Sequence, residues 1–283
     1  MTQIPNRIAV AVIGASGYTG VELLRLLALH PDVTVVAVAA KRAAGRRIDE
    51  VFGNLRGVLE LVVEEFDAAS IAARATVAFC ALPHGESAPI VAELVTRGVR
   101  VFDLSADFRL HEESVWQQWY GQDGGDHPAA NLLADAVYGL PELHRALLRG
   151  ARLVAVPGCY PTASILAIAP LLAANLVESG GIIIDAKSGI SGAGRAPAIG
   201  AHFPEVGEGI RAYKVAGTHR HTPEIEQELS LAAGTALRVL FTPHLVPMSR
   251  GILSCVYAMP CSRAVPLLSC AMRWRWRTTT NHL

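Results

Sequence analysis

Residues 10–20, VAVIGASGYTG, constrain the fold of this chain more than any other segment. An apolar run typical of a buried strand is followed at once by three glycines and by a helical pattern that begins near Tyr18. Such glycines permit a tight turn and a close approach of the backbone to a pyrophosphate, whose charge the free N–H groups of the helix would face. We therefore predict a dinucleotide-binding loop made of Gly14, Ala15, Ser16, Gly17, Tyr18 and Thr19.

The first half of the chain repeats this alternation of short apolar runs and helical patterns. Continuous apolar strands separated by helices are typical of a parallel, doubly wound sheet, whose strand ends line up along one ligand-binding edge. We predict an α/β fold with a Rossmann-type nucleotide-binding domain over residues 1–156. Its expected strands are 7–13, 34–40, 77–81 and 99–103, and its expected helices include 18–29 and 87–96.

The second half has a different pattern, with longer glycine-rich connections such as residues 187–201. Proline suits the first position of a helix, so we expect a helix to start at Pro161. Strands are expected at 181–186, 237–242 and 251–258. We predict an α+β catalytic domain over residues 157–260, with the boundary near Val156 and an atypical tail over 261–283.

The end of the second predicted strand bears on the choice of cofactor. An NAD site usually places a carboxylate there, whereas this strand ends Ala39-Ala40-Lys41-Arg42. Two cations suit the 2′-phosphate of NADP, so we expect NADP as cofactor with Lys41 and Arg42 as contacts. An ordinary solvated basic loop would have the same sequence.

Charge and cysteine content limit the kinds of partner and compartment. Twenty-five basic residues balance twenty-five acidic ones, which leaves no overall field to attract nucleic acid or an anionic membrane. We expect a small-molecule partner instead. The five cysteines are scattered and form no C-x-x-C pair, which fits a reducing cytoplasm.

Cys159 is the best candidate for a nucleophile. It lies in residues 156–162, VPGCYPT, between two prolines and directly before a predicted helix. The dipole and free N–H groups of that helix would favour the thiolate over the thiol, and the same groups could hold an oxyanion. Cys80 and Cys255 lie inside apolar strands and are expected to be buried and inert.

His219 and His221 are the best candidates for an acid–base partner. They precede Thr222-Pro223-Glu224, which opens a helix and would hold both histidines in a fixed loop. His-x-His in an extended segment is also a metal-ligand pattern. The spacing indicates no third ligand, although His202 and His244 exist, so we expect no metal site.

Eight segments of the chain resemble the N-acetyl-gamma-glutamyl-phosphate reductase family, which is related to aspartate-semialdehyde dehydrogenase. PGCYPT and HRHTPEI together are highly specific, and all eight segments follow the family's order up to about Ala258. The segments are GASGYTG (14–20), LPHG (82–85), DLSADFR (103–109), YGLPE (138–142), PGCYPT (157–162), SGISGAGR (188–195), HRHTPEI (219–225) and SRGIL (249–253).

The resemblance implies an enzyme that makes an aldehyde from an acyl phosphate through a cysteine thioester, with NADPH as the hydride source. It marks Cys159 as the nucleophile and His219 as the acid–base, supported by His221 and Glu224. It also implies a homo-oligomer paired through the catalytic domains. The remaining implied contacts are Arg109 and Arg195 to substrate anions, and His84, Ser188 and Gly189 near the cofactor.

The chain departs from the family pattern at two places, of which the first is variation also seen among relatives and the second leaves alternatives open. Val156 stands where many relatives have asparagine, and after Ala258 the expected return to the nucleotide domain is replaced by a sequence with no strand or helix period. An out-of-frame tail after a lost C-terminus would explain this. The alternatives are an inactive NADP-binding relative and a cousin that reduces aspartyl phosphate or a carrier-linked amino-adipyl phosphate.

Overall fold

The computed structural model describes residues 7–121 and 125–262 of the chain. These residues divide into two units: one holds the chain up to Gly139 together with Ala146–Val156, and the other holds Leu140–Arg145 and the chain from Pro157 onward. The tail predicted over 261–283 lies outside the described residues, apart from Cys261 and Ser262.

The first unit contains a parallel sheet in the order β2-β1-β3-β4-β6-β5, which confirms the predicted doubly wound fold. Adjacent residues of the strand Ile8–Ile13 pack in different cores: Ala11 belongs to one apolar cluster and Val12 to another. Both faces of the sheet are therefore covered. The strands are β1 (Ile8–Ile13), β2 (Val33–Ala39), β3 (Val77–Cys80), β4 (Arg100–Asp103), β5 (Ala136–Tyr138) and β6 (Leu153–Ala155).

Amphipathic helices supply the apolar side chains that complete the two cores. Leu24 of the first helix packs in one cluster, whereas Ile71 and Leu94 of later helices pack in the other. The sixth helix is interrupted at His144 (φ −120°, ψ 20°) and contains residues of both units. These helices are α1 (Tyr18–Leu27), α2 (Ile48–Val51), α3 (Ala68–Arg74), α4 (Ser87–Thr96), α5 (Glu113–Tyr120) and α6 (Pro141–Leu148).

The second unit contains a mixed sheet in the order β10-β7-β9-β8. The central pair is parallel and the outer pairs are antiparallel. The elements are α7 (Cys159–Ala173), β7 (Ile182–Ser188), α8 (Phe203–Val206), β8 (Arg211–Ala212), α9 (Thr222–Ala233), β9 (Val239–Leu245) and β10 (Ile252–Tyr257).

Burial alternates along β7 with the period of a strand that has one covered face. Ile182, Ile184 and Ala186 are buried, whereas Ile183 is 41% exposed. The helices α7 and α9 contact each other, and α7 also contacts β10. The helices thus cover one face of this sheet and leave the other open.

The predicted start of the helix at Pro161 was wrong, because α7 begins at Cys159, and the helix predicted over 18–29 ends at Leu27. Gly158 is the N-cap in an extended conformation (φ −63°, ψ 156°). A proline is tolerated in the first turn because the N–H it lacks has no partner inside the helix anyway. Cys159 is therefore the first residue of the helix itself.

Within the described residues, no helix is long and apolar enough to cross a lipid bilayer.

Candidate active site

The glycine loop of the first unit is shaped by main-chain contacts. Gly14 has a φ of +82°, and both Gly14 and Ala15 donate their N–H to the carbonyl oxygen of Ala39, at 2.8 and 3.2 Å. A Cβ atom at Gly20 would lie 2.7 Å from Cα of Ala15, so only glycine lets α1 pack this closely on β1. A Cβ atom at Gly17, in contrast, would meet nothing closer than 3.7 Å. The space in front of Gly17 is therefore open.

The N-terminus of α1 suits an anion. Gly17 is its N-cap, no side chain caps it within the described part of the chain, and its first turn holds no acidic residue. Tyr18 and Thr19, which open the helix, are exposed, and Ser16 before them is partly buried. First-turn N–H groups have no partner inside the helix, so these groups can bind a phosphate.

Lys41 and Arg42 are exposed directly after β2, the strand that pairs with β1. Because Ile13 lies opposite Ala39 in this parallel pair, the two cations follow the same edge of the sheet as the glycine loop. The next carboxylate along the chain, Asp49, is engaged elsewhere. Its hydrogen bonds from the Arg47 guanidinium, at 3.0 and 2.9 Å, lower its pKa.

His84 lies in the exposed turn after β3, and a buried carboxylate holds that turn in place. The Asp107 carboxylate accepts hydrogen bonds from the main-chain N–H groups of Gly85 (2.8 Å) and Ala88 (3.0 Å). The His84 ring meets the edge of Tyr120 at a centroid distance of 5.4 Å. Asp107 lies in the DLSADFR segment, but this role depends on contacts that no local sequence pattern shows.

A second buried carboxylate stabilises the same region. Asp103 accepts hydrogen bonds from the hydroxyls of Ser87 and Ser105, each at 2.6 Å. Burial raises the pKa of Asp103 to about 6 despite these bonds. The first and fifth residues of DLSADFR therefore act within the protein, on the turn after β3 and on the start of α4.

The two arginines predicted to contact anions occupy different environments. Arg109 is buried, and its Nε and Nη2 atoms donate to the carbonyl oxygens of Val156 and Leu104, both at 2.8 Å. Those bonds give it a structural role within the first unit. Arg195 is exposed in the loop that follows β7. An anion contact by either residue stays a prediction.

Cys159 is exposed at the start of α7, in the second unit. The main-chain N–H of Gly158, directly before it, donates to Oε1 of Glu224 at 2.8 Å. Glu224 is 1% exposed in the first turn of α9, so this carboxylate fixes the backbone next to the sulfur from inside the core. No side chain caps α7 among the described residues, so its first N–H groups are available to an oxyanion.

His219 lies in the turn before α9 and is buried among aromatic rings. Its ring centroid is 5.5 Å from that of Tyr160, 5.2 Å from Phe241 and 4.9 Å from His221. Burial, together with the nearby charges of His221, Lys214 and Arg220, lowers the pKa of His219 to about 3. Both histidines lie in a turn, so the pair does not have the extended geometry that a His-x-His metal site would use.

Two tyrosines that were not predicted as site residues pack against His219: Tyr160, which directly follows Cys159, and Tyr213. The hydroxyls of Tyr160 and Tyr213 lie 3.0 Å apart. Burial raises the pKa of both phenols, and the negative charge of the Cys159 thiolate adds to each shift. Tyr160 could have been noticed as the neighbour of Cys159. Tyr213 lies far along the chain and carries no local motif.

Ser188 and Gly189, at the end of β7, pack against the loop before β10. Gly189 donates its N–H to the carbonyl oxygen of Gly251 at 2.9 Å, and a Cβ atom at Gly189 would lie 2.7 Å from the nitrogen of Arg250. The SGISGAGR and SRGIL segments thus form one close backbone wall in the second unit.

The described residues hold no group of three or more side chains placed to bind a metal ion. His202 is exposed after its 3-10 turn, and His244 pairs with Asp185 at 3.2 Å. Neither joins His219 and His221.

Comparison with known proteins places the chain in a family. Residues 9–151 match the model of the semialdehyde dehydrogenase NAD binding domain, and residues 159–267 match that of the semialdehyde dehydrogenase dimerisation domain. N-acetyl-gamma-glutamyl-phosphate reductase of Desulforudis audaxviator is 51% identical over 253 residues, which are 89% of this chain and 72% of that protein. The enzyme of the same name from Syntrophobacter fumaroxidans is 53% identical over 249 residues, 88% of this chain and 71% of that protein.

Solved structures at low sequence identity share the fold. Aspartate semialdehyde dehydrogenase II of Vibrio cholerae superposes with a TM-score of 0.69 at 16% identity, over 94% of this chain and 78% of that one. The Candida albicans enzyme, solved with NADP, gives 0.62 at 16% identity, over 94% of this chain and 75% of that one. Identity near 50% across most of both chains, with both domain models matched in order, shows that this chain belongs to the N-acetyl-gamma-glutamyl-phosphate reductase family.

Proposed function

We propose that this chain reduces N-acetyl-glutamyl 5-phosphate to N-acetyl-glutamate 5-semialdehyde and phosphate, with NADPH, in arginine biosynthesis. The observation that carries the proposal is the setting of Cys159. Its sulfur is exposed at the start of a 15-residue helix, with the preceding N–H held by a buried carboxylate. The names of the relatives support the substrate and the reaction.

The first unit fits a dinucleotide, because the space at Gly17 is open and the start of α1 is uncapped among the described residues. NADPH, when bound, supplies the hydride. The Lys41 and Arg42 side chains would neutralise its 2′-phosphate. The remaining contacts that we propose are Gly14, Ala15, Ser16, Gly17, Tyr18, Thr19, His84, Ser188 and Gly189.

Cys159 splits a difficult reduction into two easier steps. Its thiolate attacks the acyl carbon, a C–S bond forms, and phosphate leaves with the electron pair of the broken C–O bond. The resulting thioester accepts hydride at the same carbon. The tetrahedral adduct then breaks its C–S bond, which releases the aldehyde and restores the thiolate.

Several further side chains would support this chemistry. We propose that His219 acts on the substrate oxygen, that His221 and Glu224 hold His219 and Cys159 in place, and that Arg109 and Arg195 contribute to anion binding. The pairing of Gly158 with Glu224 supports the assignment of Glu224.

We also propose that the protein works as a homo-oligomer in which a second copy covers the open face of the second unit's sheet. Ile183 and Leu240 lie opposite each other on that face, as do Ile183 and Tyr257. Leu240, Leu253 and Tyr257 are 53%, 60% and 57% exposed. An apolar patch of this kind, in a domain whose family model is described as a dimerisation domain, suits a subunit interface.

The reaction is tested in reverse, by following NADPH formation from N-acetyl-glutamate semialdehyde, NADP and phosphate. We expect phosphate-dependent turnover that Cys159→Ser lowers at least about 10³-fold, because serine is a far poorer nucleophile without an activating base. Cys261→Ser is the matched control, since Cys261 is also exposed. Aspartate semialdehyde is the competing substrate.

The outcomes separate the alternatives. Faster turnover of aspartate semialdehyde would favour the related reductase. Binding of NADP without turnover of either aldehyde would favour the inactive relative, and an unchanged rate in Cys159→Ser would overturn the assigned nucleophile.

A further inference from the structure

We infer that His219 takes part in the reaction as a neutral hydrogen-bond donor through Nε2–H, and not as the base that ionises Cys159. The inference rests on the proposed function, which sets the reaction that His219 would serve. It goes further by assigning the tautomer of the ring and the direction of its hydrogen bond. It also identifies Tyr160 and Phe241 as the residues that position the ring.

The tautomer follows from one main-chain contact. The N–H of His221 donates to Nδ1 of His219 at 3.1 Å. A main-chain N–H can only donate, so Nδ1 must present its lone pair. A neutral imidazole carries one N–H, which must then be on Nε2. Protonation at Nδ1 would set two hydrogens against each other and break this bond.

The surroundings of His219 disfavour its cation. The ring is 8% exposed and lies among the rings of Tyr160, Tyr213 and Phe241, which exclude water. The neighbouring groups that act on its charge are His221, Lys214 and Arg220, none of which is acidic. The two tyrosine hydroxyls stay neutral, because burial raises the pKa of both. The neutral form is therefore stable across the physiological range.

Tyr160 lies next to Cys159 in the chain and packs against the His219 ring. It is 3% exposed, directly follows Cys159 in α7, and meets the His219 ring edge-on at an angle of 87°. Its hydroxyl lies 3.0 Å from that of Tyr213 and donates to the carbonyl oxygen of His244 at 3.4 Å. Phe241 of β9 meets the His219 ring at 86°. The start of α7 and the strand β9 thus hold the ring in one orientation.

A donor is sufficient for the proposed chemistry. Attack by the thiolate moves the C=O electrons onto oxygen, and Nε2–H can stabilise that oxyanion as it forms. Reforming the C=O bond expels phosphate, which takes its proton from solvent. Hydride addition recreates the oxyanion, and its collapse expels the thiolate. Charge balances without any proton leaving or entering His219.

The tautomer is tested in the wild-type protein by ¹⁵N NMR of labelled histidines, with His219→Gln used to assign the signals. We expect His219 to show a protonated Nε2 and an unprotonated Nδ1 between about pH 5 and pH 8, with no titration step. A titration midpoint near 6.5 or a proton on Nδ1 would overturn the inference. This measurement needs no turnover, so it decides the inference even if the proposed function fails.

The role is tested by comparing His219→Gln with His219→Ala. The glutamine amide can donate near the Nε2 position but cannot exchange a proton near neutral pH. We expect Gln to retain kcat within about 10-fold of wild type with the same pH profile, and Ala to lose about 10²- to 10³-fold. A Gln variant as poor as Ala, with both variants as resistant to thermal unfolding as the wild type, would assign proton transfer to His219 and overturn the inference. Absent turnover in the wild type would instead count against the proposed function.

Discussion

Among individual residues, the buried carboxylate of Glu224 fixes the backbone beside the nucleophile. Glu224 stands in the first turn of α9, 65 positions after Cys159 in sequence, yet it accepts the N–H of Gly158 at 2.8 Å. Because Glu224 is buried, its carboxylate has little freedom to move away from that contact. The role we propose for it is to hold the backbone, which needs an acceptor atom and no proton transfer.

We expect Glu224→Ala to lower kcat/KM by about 10- to 100-fold, since loss of an acceptor for a buried N–H costs about 1–3 kcal/mol. Glu224→Gln should recover most of that loss, because an amide oxygen can accept the same hydrogen bond. Steady-state kinetics with thermal unfolding of each variant provide the measurement. A Gln variant as impaired as Ala, at equal stability, would mean that the charge of Glu224 enters the chemistry.

Among the secondary-structure elements, β7 contributes one face to the core of the second unit and the other face to its exposed surface. Its buried residues face the helices, and its other face carries Ile183, Asp185 and Lys187. Lys187 and Asp185 form an ion pair, and Asp185 also pairs with His244 at 3.2 Å. The open face therefore combines apolar residues with the Lys187–Asp185 ion pair, as expected of a surface that a second copy covers.

We expect Leu253→Asp to weaken the dimer by at least about 100-fold, because roughly 3 kcal/mol is lost when a carboxylate replaces an apolar side chain in an interface. Light scattering after size-exclusion chromatography, across a dilution series, measures the change. Leu231→Asp is the control, since Leu231 is 57% exposed on α9. A monomeric wild type, or a Leu253→Asp variant as dimeric as the control, would contradict the proposed interface.

The longer elements could be predicted from sequence because their patterns are local. The strands at Ile8–Ile13 and Val77–Cys80 are continuous apolar runs, and the helix Ser87–Thr96 matches its predicted bounds. The strands β5 and β6 have three residues each, too few to show a pattern. The start of α7 was placed two residues late, because proline also fits the third position of a helix.

The candidate site was only partly accessible to the same reasoning. Cys159 and His219 stand beside local motifs, so they could be proposed without coordinates. Other features depend on residues far apart in sequence. They are the hydrogen bond between Glu224 and Gly158, the contact between Tyr160 and Tyr213, and the burial of His219. No periodicity reports such contacts. Burial, which no local sequence pattern shows, is the main reason that the pKa of His219 is lowered to about 3.

Across the whole molecule, we propose that the first unit supplies most of the nucleotide contacts and that the second unit carries the acyl group on Cys159. Membership of the N-acetyl-gamma-glutamyl-phosphate reductase family supports this division, since the two matched domain models cover residues 9–151 and 159–267. The proposed reaction depends on a thioester that carries the acyl group on Cys159 between loss of phosphate and hydride transfer.

The most direct test omits phosphate. With N-acetyl-glutamate semialdehyde and NADP alone, we expect a burst of NADPH equal to the amount of enzyme, and intact-protein mass spectrometry should find one N-acetylglutamyl group on Cys159. Added phosphate should release the group and restart turnover. A steady rate without phosphate, or the same adduct on Cys159→Ser, would contradict the thioester mechanism.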